Sequence, residues 1–246
     1  MLMDGKELAK DIKAKIKAEI DDIKRIYNVN PTVASILVGD NQASQVYLNS
    51  QIKSYQDLGI GVQKYFFSKE ISEAYLLNLI DKLNKDTEVD GIMINLPLPP
   101  QISATKVLNR IKLIKDVDGF KAENLGLLFQ NNEDFISPST PAGIMALIEG
   151  YNIDLEGKDV VVVGRSNIVG KPVAALVLNN HGTVTICNSH TRNLAEKTKN
   201  ADVLISAVGK PKFITEDMVK EGAVVIDVGI NRVNGKLEGD VDFENV

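Results

Sequence analysis

The chain has 246 residues, enough for one large or two small domains that each bury a core. Hydrophobic residues make up 44% and charged residues 25%, and the net charge of -5 gives no support to binding of nucleic acid or anionic membranes, although a local basic pocket is compatible with it. No apolar run approaches the ~18 residues of a membrane span, and the charged N-terminus is not a secretory signal. The single cysteine, Cys187, excludes an internal disulfide. We therefore expect a cytoplasmic protein.

The first predicted element is an amphipathic helix near the N-terminus. Apolar residues recur there at helical spacing, at Leu8, Ile12, Ile16, Ile20 and Ile23. Lysines lie between them. The pattern predicts an apolar stripe on a core and a solvated face of lysines.

Short apolar runs then alternate with helical patterns. Strands are predicted at 32–39, 62–67 and 91–96, and helices at 44–59 and 72–84. The third strand ends in PLPP, which cannot continue a ladder. This order implies right-handed crossovers and a parallel sheet.

The helix at 44–59 carries polar side chains directly beside the stripe that it buries. Its polar face consists of Ser44, Tyr47 and Gln51. Its apolar stripe consists of Leu48, Ile52 and Tyr55. From the helix pattern alone, Tyr47 is a half-buried packing residue with a solvated hydroxyl.

Residues 139–150 predict a self-contained helix that joins two lobes. Thr140 can cap it, Pro141 occupies its first turn and Gly150 can end it. Its position separates the first alternation from a second one.

The second alternation contains four predicted strands, at 159–164, 183–187, 201–206 and 222–229. A hairpin turn is predicted at 233–236. The whole chain is therefore predicted to be an α/β protein of two lobes, each with a parallel sheet.

The segment 160–172, VVVVGRSNIVGKP, predicts a phosphate-binding turn. A β-branched run ends at Gly164, and the chain then enters a helix that contains Gly170, whose N-terminus offers free N–H groups. The spacing is G-x-S-x-x-x-G rather than G-x-G-x-x-G, so a plain structural turn stays open as the alternative.

The end of the next strand favours NADP over NAD. An NAD site usually has an acidic residue at this place, but residues 188–192 contain none. Arg165, directly after the turn glycine, can pair with a 2′-phosphate, although it can also be an ordinary surface arginine.

Eight ordered blocks resemble the methylenetetrahydrofolate dehydrogenase/methenyltetrahydrofolate cyclohydrolase family. The blocks are SQVYLNSQIKSYQDLGI, DGIMINLPLP, KDVDGF, STPAGI, VVVGRSNIVGKP, TVTICNSHT, AVGKP and VVIDVGINR. The resemblance covers nearly the whole chain. It implies a catalytic folate-binding domain over 1–140, a Rossmann-type NADP-binding domain over 141–246, and folate in the cleft between them.

The resemblance also implies the activity. NADP oxidises 5,10-methylenetetrahydrofolate to the 5,10-methenyl compound, and water then converts this product to 10-formyltetrahydrofolate. It implies tetrahydrofolate derivatives as substrates and a homodimer formed through the cofactor lobe, and it requires no metal. A different two-lobed NADP oxidoreductase and a non-enzymatic nucleotide- or folate-binding protein are the alternatives.

The resemblance further implies roles for individual residues. The expected catalytic positions are Tyr47, Gln51 and Asp118. The expected substrate contacts are Ser44 and Asn95. The expected cofactor contacts are Thr140, Gly164, Arg165, Ser166, Ser189 and Ile230.

One departure from the family pattern concerns the hydrolytic step. The family has a lysine where this chain has Gln51, and Asn95 takes the place of the glutamine that meets this lysine. An amide cannot shuttle a proton, a role typically worth ~10²–10⁴-fold in rate. Lys53 lies about 240° around the helix from Tyr47 and is expected to point to solvent. We therefore expect the dehydrogenase to persist and the cyclohydrolase to be weak or absent.

A second departure concerns the end of the sequence. Family members continue into a Pro-Gly-Gly-Val-Gly-Pro segment and a helix that returns to the first lobe, whereas this sequence ends at Val246. An incomplete chain and a cleft without part of its wall both fit this observation.

Overall fold

The computed structural model describes residues 2–40, 42–233 and 235–246, and of residues 42–44 it describes the backbone only. The chain forms two compact units, Met1–Asn124 and Leu125–Val246. The two functional domains over 1–140 and 141–246 stay a prediction. No helix in the described part of the chain is both long and apolar enough to cross a membrane.

The first unit is built around a three-stranded parallel sheet. In chain order its elements are α1 (Gly5–Tyr27), β1 (Thr32–Val38), α2 (Gln42–Asp57), β2 (Gly61–Phe67), α3 (Glu73–Leu83), β3 (Gly91–Ile94) and α4 (Ala104–Arg110). The strand order is β2-β1-β3, with β1 in the centre. A 3-10 turn at Leu113–Lys115 follows α4, and α5 (Ala122–Phe129) comes next. The predicted parallel sheet is confirmed.

Helix α2 is anchored to one face of this sheet by its apolar stripe. Leu48 and Ile52 are buried and pack with Val33, Leu37 and Met93. The opposite face of the sheet packs against α3 and α4. Because one side of α2 is held in the core, the other side presents its polar residues at a fixed position.

Helix α1 differs from its prediction on both of its faces. Within its apolar stripe only Ile20 is buried, and Ile16 and Ile23 are each more than a third exposed. Lys17 Nζ donates to the backbone oxygen of Asp57 at 3.3 Å, and Lys24 Nζ donates to that of Gly59. These lysines therefore bind carbonyl groups at the C-terminal end of α2, where cations are favourable, instead of forming a wholly solvated face.

The second unit is built around a four-stranded parallel sheet. Its elements are α6 (Ser139–Gly150), β4 (Asp159–Val163), α7 (Gly170–Asn179), β5 (Thr183–Cys187), α8 (Leu194–Thr198), β6 (Val203–Ser206), β7 (Val224–Asp227), β8 (Asn231–Val233) and β9 (Lys236–Glu238). A 3-10 turn lies at Glu216–Met218. The strand order is β5-β4-β6-β7, so the order reverses direction at β4. Ligands of such sheets bind at the carboxyl end of the strands beside this switch point.

Two local predictions in this unit have different outcomes. Helix α6 begins at Ser139 after an N-terminal cap at Pro138 without a side-chain hydrogen bond, so Thr140 lies in the first turn and the predicted Thr140 cap is wrong. Gly150 is the last helical residue, as predicted. The predicted hairpin is confirmed by the antiparallel pairing of β8 with β9, although Asn234 in its turn lies outside the described residues.

Candidate active site

The polar face of α2 borders a groove of about 360 Å³ in the first unit. Tyr47 is 62% exposed and Gln51 is half-buried, and both line this groove. Lys53 is exposed, as expected, although it also contributes to the rim of the same groove. Ser44 belongs to α2, but its side chain lies outside the described part of the chain.

Gln51 is joined to Tyr55, one helical turn further along α2. The Tyr55 hydroxyl donates to Met93 Sδ at 3.7 Å, and the nearby Gln51 amide lowers the pKa of this hydroxyl. The other end of the amide, Gln51 Oε1, is buried, and no donor in the described chain reaches it. An unpaired buried acceptor costs ~1–3 kcal/mol, so a donor that entered this site would be held there.

The hydroxyl of Tyr55 is a proton donor and not a base. Burial raises the pKa of Tyr55, the charges of Asp118 and Tyr47 raise it further, and the hydrogen bond from Gln51 lowers it. The pKa therefore stays above the ordinary tyrosine value, and the hydroxyl keeps its proton at neutral pH. The charge of Asp118 therefore acts on the Tyr55 hydroxyl.

Asp118 is a carboxyl group whose surroundings bring its pKa near neutral pH. Burial raises the pKa of Asp118 to about 7, the charge of Asp116 adds to the effect, and the backbone N–H of Ile94 opposes it by donating to the carboxylate. Asp116 is fully buried and accepts hydrogen bonds from Lys121 N at 2.8 Å and from Asn124 Nδ2 at 2.7 Å. A carboxyl group with this pKa is suited to take up and release a proton at physiological pH.

Asn95 follows β3 and is held inside the sheet. Its Nδ2 donates to the backbone oxygen of Ile36 at 3.1 Å and to Ser35 Oγ at 3.5 Å. The side chain is buried. No hydrogen bond in the described chain joins it to Gln51.

The turn after β4 in the second unit is as tight as its glycines predict. Gly164 has a φ of 132°, and a Cβ atom there would overlap the carbonyl oxygen of Ala207. A Cβ atom at Gly170, the first residue of α7, would overlap the carbonyl oxygen of Gly164. The backbone at these two glycines therefore approaches its neighbours more closely than a residue with a Cβ atom could. The lack of side chains leaves room for a phosphate group beside the main chain.

Ser166 organises the start of α7. Its Oγ accepts hydrogen bonds from Val169 N at 3.1 Å and from Gly170 N at 3.3 Å, so two of the unpaired N–H groups of the helix are satisfied. The hydroxyl proton stays available as a donor to a ligand. Arg165 is exposed next to it.

The carboxyl ends of β4 and β5 bring most of the predicted cofactor residues together. Gly164 N donates to the backbone oxygen of Cys187 at 2.9 Å, and the exposed Ser189 follows two residues later. Thr140 on α6 and Ile230 before β8 are both exposed, and no hydrogen bond in the described chain links them to this turn. The described residues contain no cluster of potential metal ligands.

A pair of carboxylates that the sequence analysis missed fixes the loop after β6. Asp240 is fully buried and accepts hydrogen bonds from Val208 N at 2.7 Å, Gly209 N at 3.1 Å and Lys210 N at 2.8 Å. Asp227, at the end of β7, accepts in turn from Asp240 N at 2.8 Å. The AVGKP block, which begins at residue 207, is thereby held beside the carboxyl end of β4.

Comparison with known proteins identifies both units. Residues 3–118 match the family model described as tetrahydrofolate dehydrogenase/cyclohydrolase, catalytic domain, and residues 138–246 match the NAD(P)-binding domain of the same family. The bifunctional protein FolD of Fusobacterium nucleatum is 89% identical over 246 residues, which cover 100% of this chain and 87% of that protein. The corresponding protein of Sulfurihydrogenibium sp. is 54% identical over 247 residues, with coverage of 100% and 87%.

Two solved structures have the same fold. The bifunctional FolD methylenetetrahydrofolate dehydrogenase/cyclohydrolase of Campylobacter jejuni superimposes with a TM-score of 0.98 at 45% identity, covering 100% of this chain and 87% of that one. The FolD enzyme of Trypanosoma brucei, complexed with NADP cofactor and an inhibitor, has a TM-score of 0.94 at 31% identity, with coverage of 99% and 86%.

Proposed function

The chain belongs to the tetrahydrofolate dehydrogenase/cyclohydrolase family, and from this premise we propose how its residues perform the reactions of that family. It is an NADP-dependent methylenetetrahydrofolate dehydrogenase with the predicted α/β fold of two domains. NADP supplies the hydride acceptor when it is bound. Loss of hydride leaves a cation that the two folate nitrogens stabilise, so the protein's main task is alignment and no protein base is needed.

The expected loss of the cyclohydrolase is not borne out. The relative with 89% identity and those near 50% are all named bifunctional proteins. Since Gln51 cannot accept a proton, we propose that Asp118 accepts it from the attacking water. The observation that carries this assignment is the burial of Asp118 beside Asp116, which brings its pKa to about 7.

The hydrolytic step balances with these groups. The water oxygen forms a bond to the methenyl carbon, and the proton that water loses passes to the Asp118 carboxylate. In the resulting carbinol the hydroxyl group loses its proton as the C=O bond of the formyl group forms. The carbon–nitrogen bond at N5 breaks at the same time, its electron pair goes to N5, and N5 takes up a proton, so that the net proton released is the one held by Asp118. Gln51 Oε1, a buried acceptor without a partner, can orient the attacking water but cannot take its proton.

The folate wall is proposed to consist of residues from α2, from the end of β3, and from the segment after the 3-10 turn at Leu113–Lys115. Tyr47, Gln51 and Asp118 would border the reacting carbon, and Ser44 and Asn95 would contribute to binding of the folate. Tyr47 is exposed on the groove and available to a ring of the substrate, which supports this assignment.

The nucleotide site is proposed at the carboxyl ends of β4 and β5. Gly164 and Ser166 would hold the phosphates near the start of α7, and Arg165 and Ser189 would receive the 2′-phosphate, because residues 188–192 include no carboxylate that would repel it. Thr140 and Ile230 are proposed as outer contacts of the same cofactor.

We propose that two copies associate through β5. This strand pairs with β4 on one side only, and Thr183, Thr185 and Ile186 on it are exposed. An exposed edge strand with an apolar residue is suited to pairing with a second copy.

A buried, unpaired Cys187 also supports residence in the cytoplasm.

Two spectrophotometric assays test the function. The first follows reduction of NADP after addition of methylenetetrahydrofolate, and the second follows loss of methenyltetrahydrofolate supplied without cofactor. We expect reduced cofactor in the first and loss well above the spontaneous rate in the second. Absence of NADP reduction would contradict the dehydrogenase, and loss at the spontaneous rate would contradict the role of Asp118.

A further inference from the structure

The turn that carries Asp118 begins at a second carboxylate, Asp116. The backbone of Asp116 pairs with Ile92 of β3 in an isolated parallel bridge, so this residue lies beside the sheet. Its carbonyl oxygen accepts a hydrogen bond from Gly119 N at 3.4 Å, which closes a turn over residues 117–118. Gly119 has a φ of 67°, a conformation that glycine adopts without strain. Asp118 is therefore held between two fixed backbone positions.

The Asp116 side chain spans the rest of this loop. It is only 1% exposed, and its Oδ2 atom accepts hydrogen bonds from Lys121 N at 2.8 Å and from Asn124 Nδ2 at 2.7 Å. Asn124 lies in the first turn of α5 and is itself buried. One buried oxygen thus ties both the backbone after Asp118 and the start of α5 to the residue that pairs with β3.

The carboxyl group of Asp118 points from this loop to the end of β3. It accepts a hydrogen bond from the backbone N–H of Ile94, the last residue of that strand. Ligands of parallel α/β sheets bind at the carboxyl ends of the strands. The place of the Asp118 carboxyl group at this end therefore depends on the shape of the loop that Asp116 fixes.

Asp116 also gives Asp118 a negatively charged neighbour. Burial raises the pKa of Asp118 to about 7, and the charge of Asp116 adds to this effect. From α2, the titratable hydroxyl of Tyr55 interacts with the charge of Asp118. The ammonium groups of Lys115 and Lys121 donate instead to backbone oxygens at or near the ends of α3 and α4. The electrostatic influence of Asp116 on Asp118 is thus not offset by the lysines of the same loop.

We propose that Asp116 is a positioning residue of the hydrolytic step: its buried carboxylate holds the Asp118 carboxyl group at the end of β3 and places a negative charge beside it. The inference rests on the proposed function, in which Asp118 accepts the proton of the attacking water. Asp116 acts through Asp118 and not on the substrate.

Two substitutions separate the hydrogen bonds of Asp116 from its charge. Both bonds use one oxygen, so the amide oxygen of Asp116→Asn can accept both while the charge is removed, whereas Asp116→Ala removes the bonds and the charge. The controls are Asp90→Asn and Asp90→Ala, because Asp90 accepts a hydrogen bond from Thr32 N at 2.8 Å at the amino end of the same sheet. The measured quantities are methenyltetrahydrofolate hydrolysis at pH 6 and pH 8, corrected for the spontaneous rate, and kcat for NADP reduction. Circular dichroism verifies folding, and Asp116→Asn keeps the test decisive if Asp116→Ala does not fold.

Each substitution has its own expected result. In Asp116→Asn the ratio of the hydrolysis rate at pH 6 to that at pH 8 should rise ~2- to 5-fold, because Asp118 ionises at lower pH without a negative neighbour. In Asp116→Ala hydrolysis at pH 8 should slow ~10- to 100-fold, because Asp118 loses its alignment, while kcat for NADP reduction stays within about 3-fold. Both Asp90 variants should behave like the natural protein. An unchanged ratio in Asp116→Asn, or an equal slowing in Asp90→Ala, would overturn the inference.

A titration without substrate separates this inference from the proposed function. Carbon-13 NMR follows the carboxyl carbon of Asp118, assigned by comparison with Asp118→Asn, as the pH is changed. We expect a lower midpoint in Asp116→Asn than in the natural protein. Full-rate hydrolysis by Asp118→Asn would overturn the proposed function, and a lower midpoint would still support the link between the two carboxylates. Hydrolysis that depends on Asp118, with equal midpoints in both proteins, would overturn the inference and leave the proposed function standing.

Discussion

The backbone N–H of Asp240 donates a hydrogen bond of 2.8 Å to the carboxylate of Asp227, so one carboxylate positions the other. The Asp240 carboxylate in turn accepts hydrogen bonds from three consecutive backbone N–H groups of the loop after β6. Neither carboxylate is offered to a ligand through these bonds. Their arrangement fixes a loop at the carboxyl end of the sheet, where the cofactor is proposed to bind.

Asp240→Asn should destabilise the second unit. The three backbone N–H groups donate to both carboxylate oxygens, and an NH₂ group in place of one oxygen accepts none of them. Each buried donor left unpaired costs ~1–3 kcal/mol. We expect the free energy of unfolding to fall by ~2–4 kcal/mol in urea titrations, with a higher KM for NADP. Asp134→Asn, at an exposed carboxylate without a hydrogen bond or ion pair in the described chain, is the control and should unfold like the natural protein.

Asp118→Asn should slow hydrolysis and change its pH dependence. The carboxylate form accepts the proton, and its pKa is about 7, so hydrolysis by the natural protein should rise through pH 7 and level off above it. The variant should hydrolyse the substrate ~10²–10⁴-fold more slowly, and its rate should no longer rise through pH 7. The oxidation step, measured in parallel, should not share the pH profile. A natural enzyme whose hydrolysis is flat across neutral pH would contradict the assignment.

The same substitution should stabilise the protein above neutral pH. The folded-state pKa of Asp118 is raised, so the folded protein binds more protons than the unfolded chain between about pH 4 and about pH 7. Stability from this group is therefore complete at low pH and declines as the pH rises to about 7. Asp118→Asn should raise Tm by ~2–4 °C at pH 8, and this gain should vanish below pH 4. If the variant had a lower Tm than the natural protein at pH 8, this would count against a raised pKa of Asp118.

Gln51→Lys should accelerate hydrolysis and move its pH profile to lower pH. An ammonium group among these residues favours the charged form of Asp118 and so lowers its pKa. We expect the rate to rise about 10-fold or more while NADP reduction stays within about 3-fold, since oxidation needs no protein base. Gln51→Met has a similar length without a charge and should not accelerate hydrolysis. If both variants behaved alike, charge would not be the cause.

Gly164→Ala should impair NADP binding. The φ of 132° is unfavourable for alanine, and its Cβ would overlap the carbonyl oxygen of Ala207. We expect the KM for NADP to rise about 10-fold and stability to fall by ~1–3 kcal/mol. Gly143→Ala on α6, where a Cβ meets no atom within 4 Å, should leave the KM unchanged. Steady-state kinetics with varied NADP decide between these outcomes.

Ile186→Asp should convert the proposed dimer to a monomer. One chain has a mass of 26.9 kDa, so sedimentation velocity distinguishes one copy from two. A carboxylate on the exposed edge strand β5 would be buried at the interface without a partner, which opposes association. Leu237→Asp, at an exposed apolar residue on β9, is the control. Dissociation by both substitutions, or by neither, would argue against an interface at β5.

The sheet architecture could be predicted from the sequence because its signals are local. Continuous β-branched runs such as that of β4 identify buried strands, and the glycine after it identifies the turn into α7. The order of strands and helices then leaves few topologies.

The features that could not be predicted depend on contacts between distant parts of the chain. Lys17 and Lys24 look like solvated residues until the end of α2 is placed beside α1. The burial that raises the pKa of Asp118, and the link from Asp227 to Asp240, likewise have no signature in the spacing of residues.

Cys187 gives the second unit a natural reporter group. It is the sole thiol of the sequence, it is only 1% exposed at the end of β5, and burial raises the pKa of its thiol. A thiol reagent can therefore label the protein only when this end of the sheet opens, so the labelling rate measures local opening without an engineered dye site. Protection by added nucleotide would slow labelling of this one sulfur atom, which lies next to the turn proposed to bind the nucleotide.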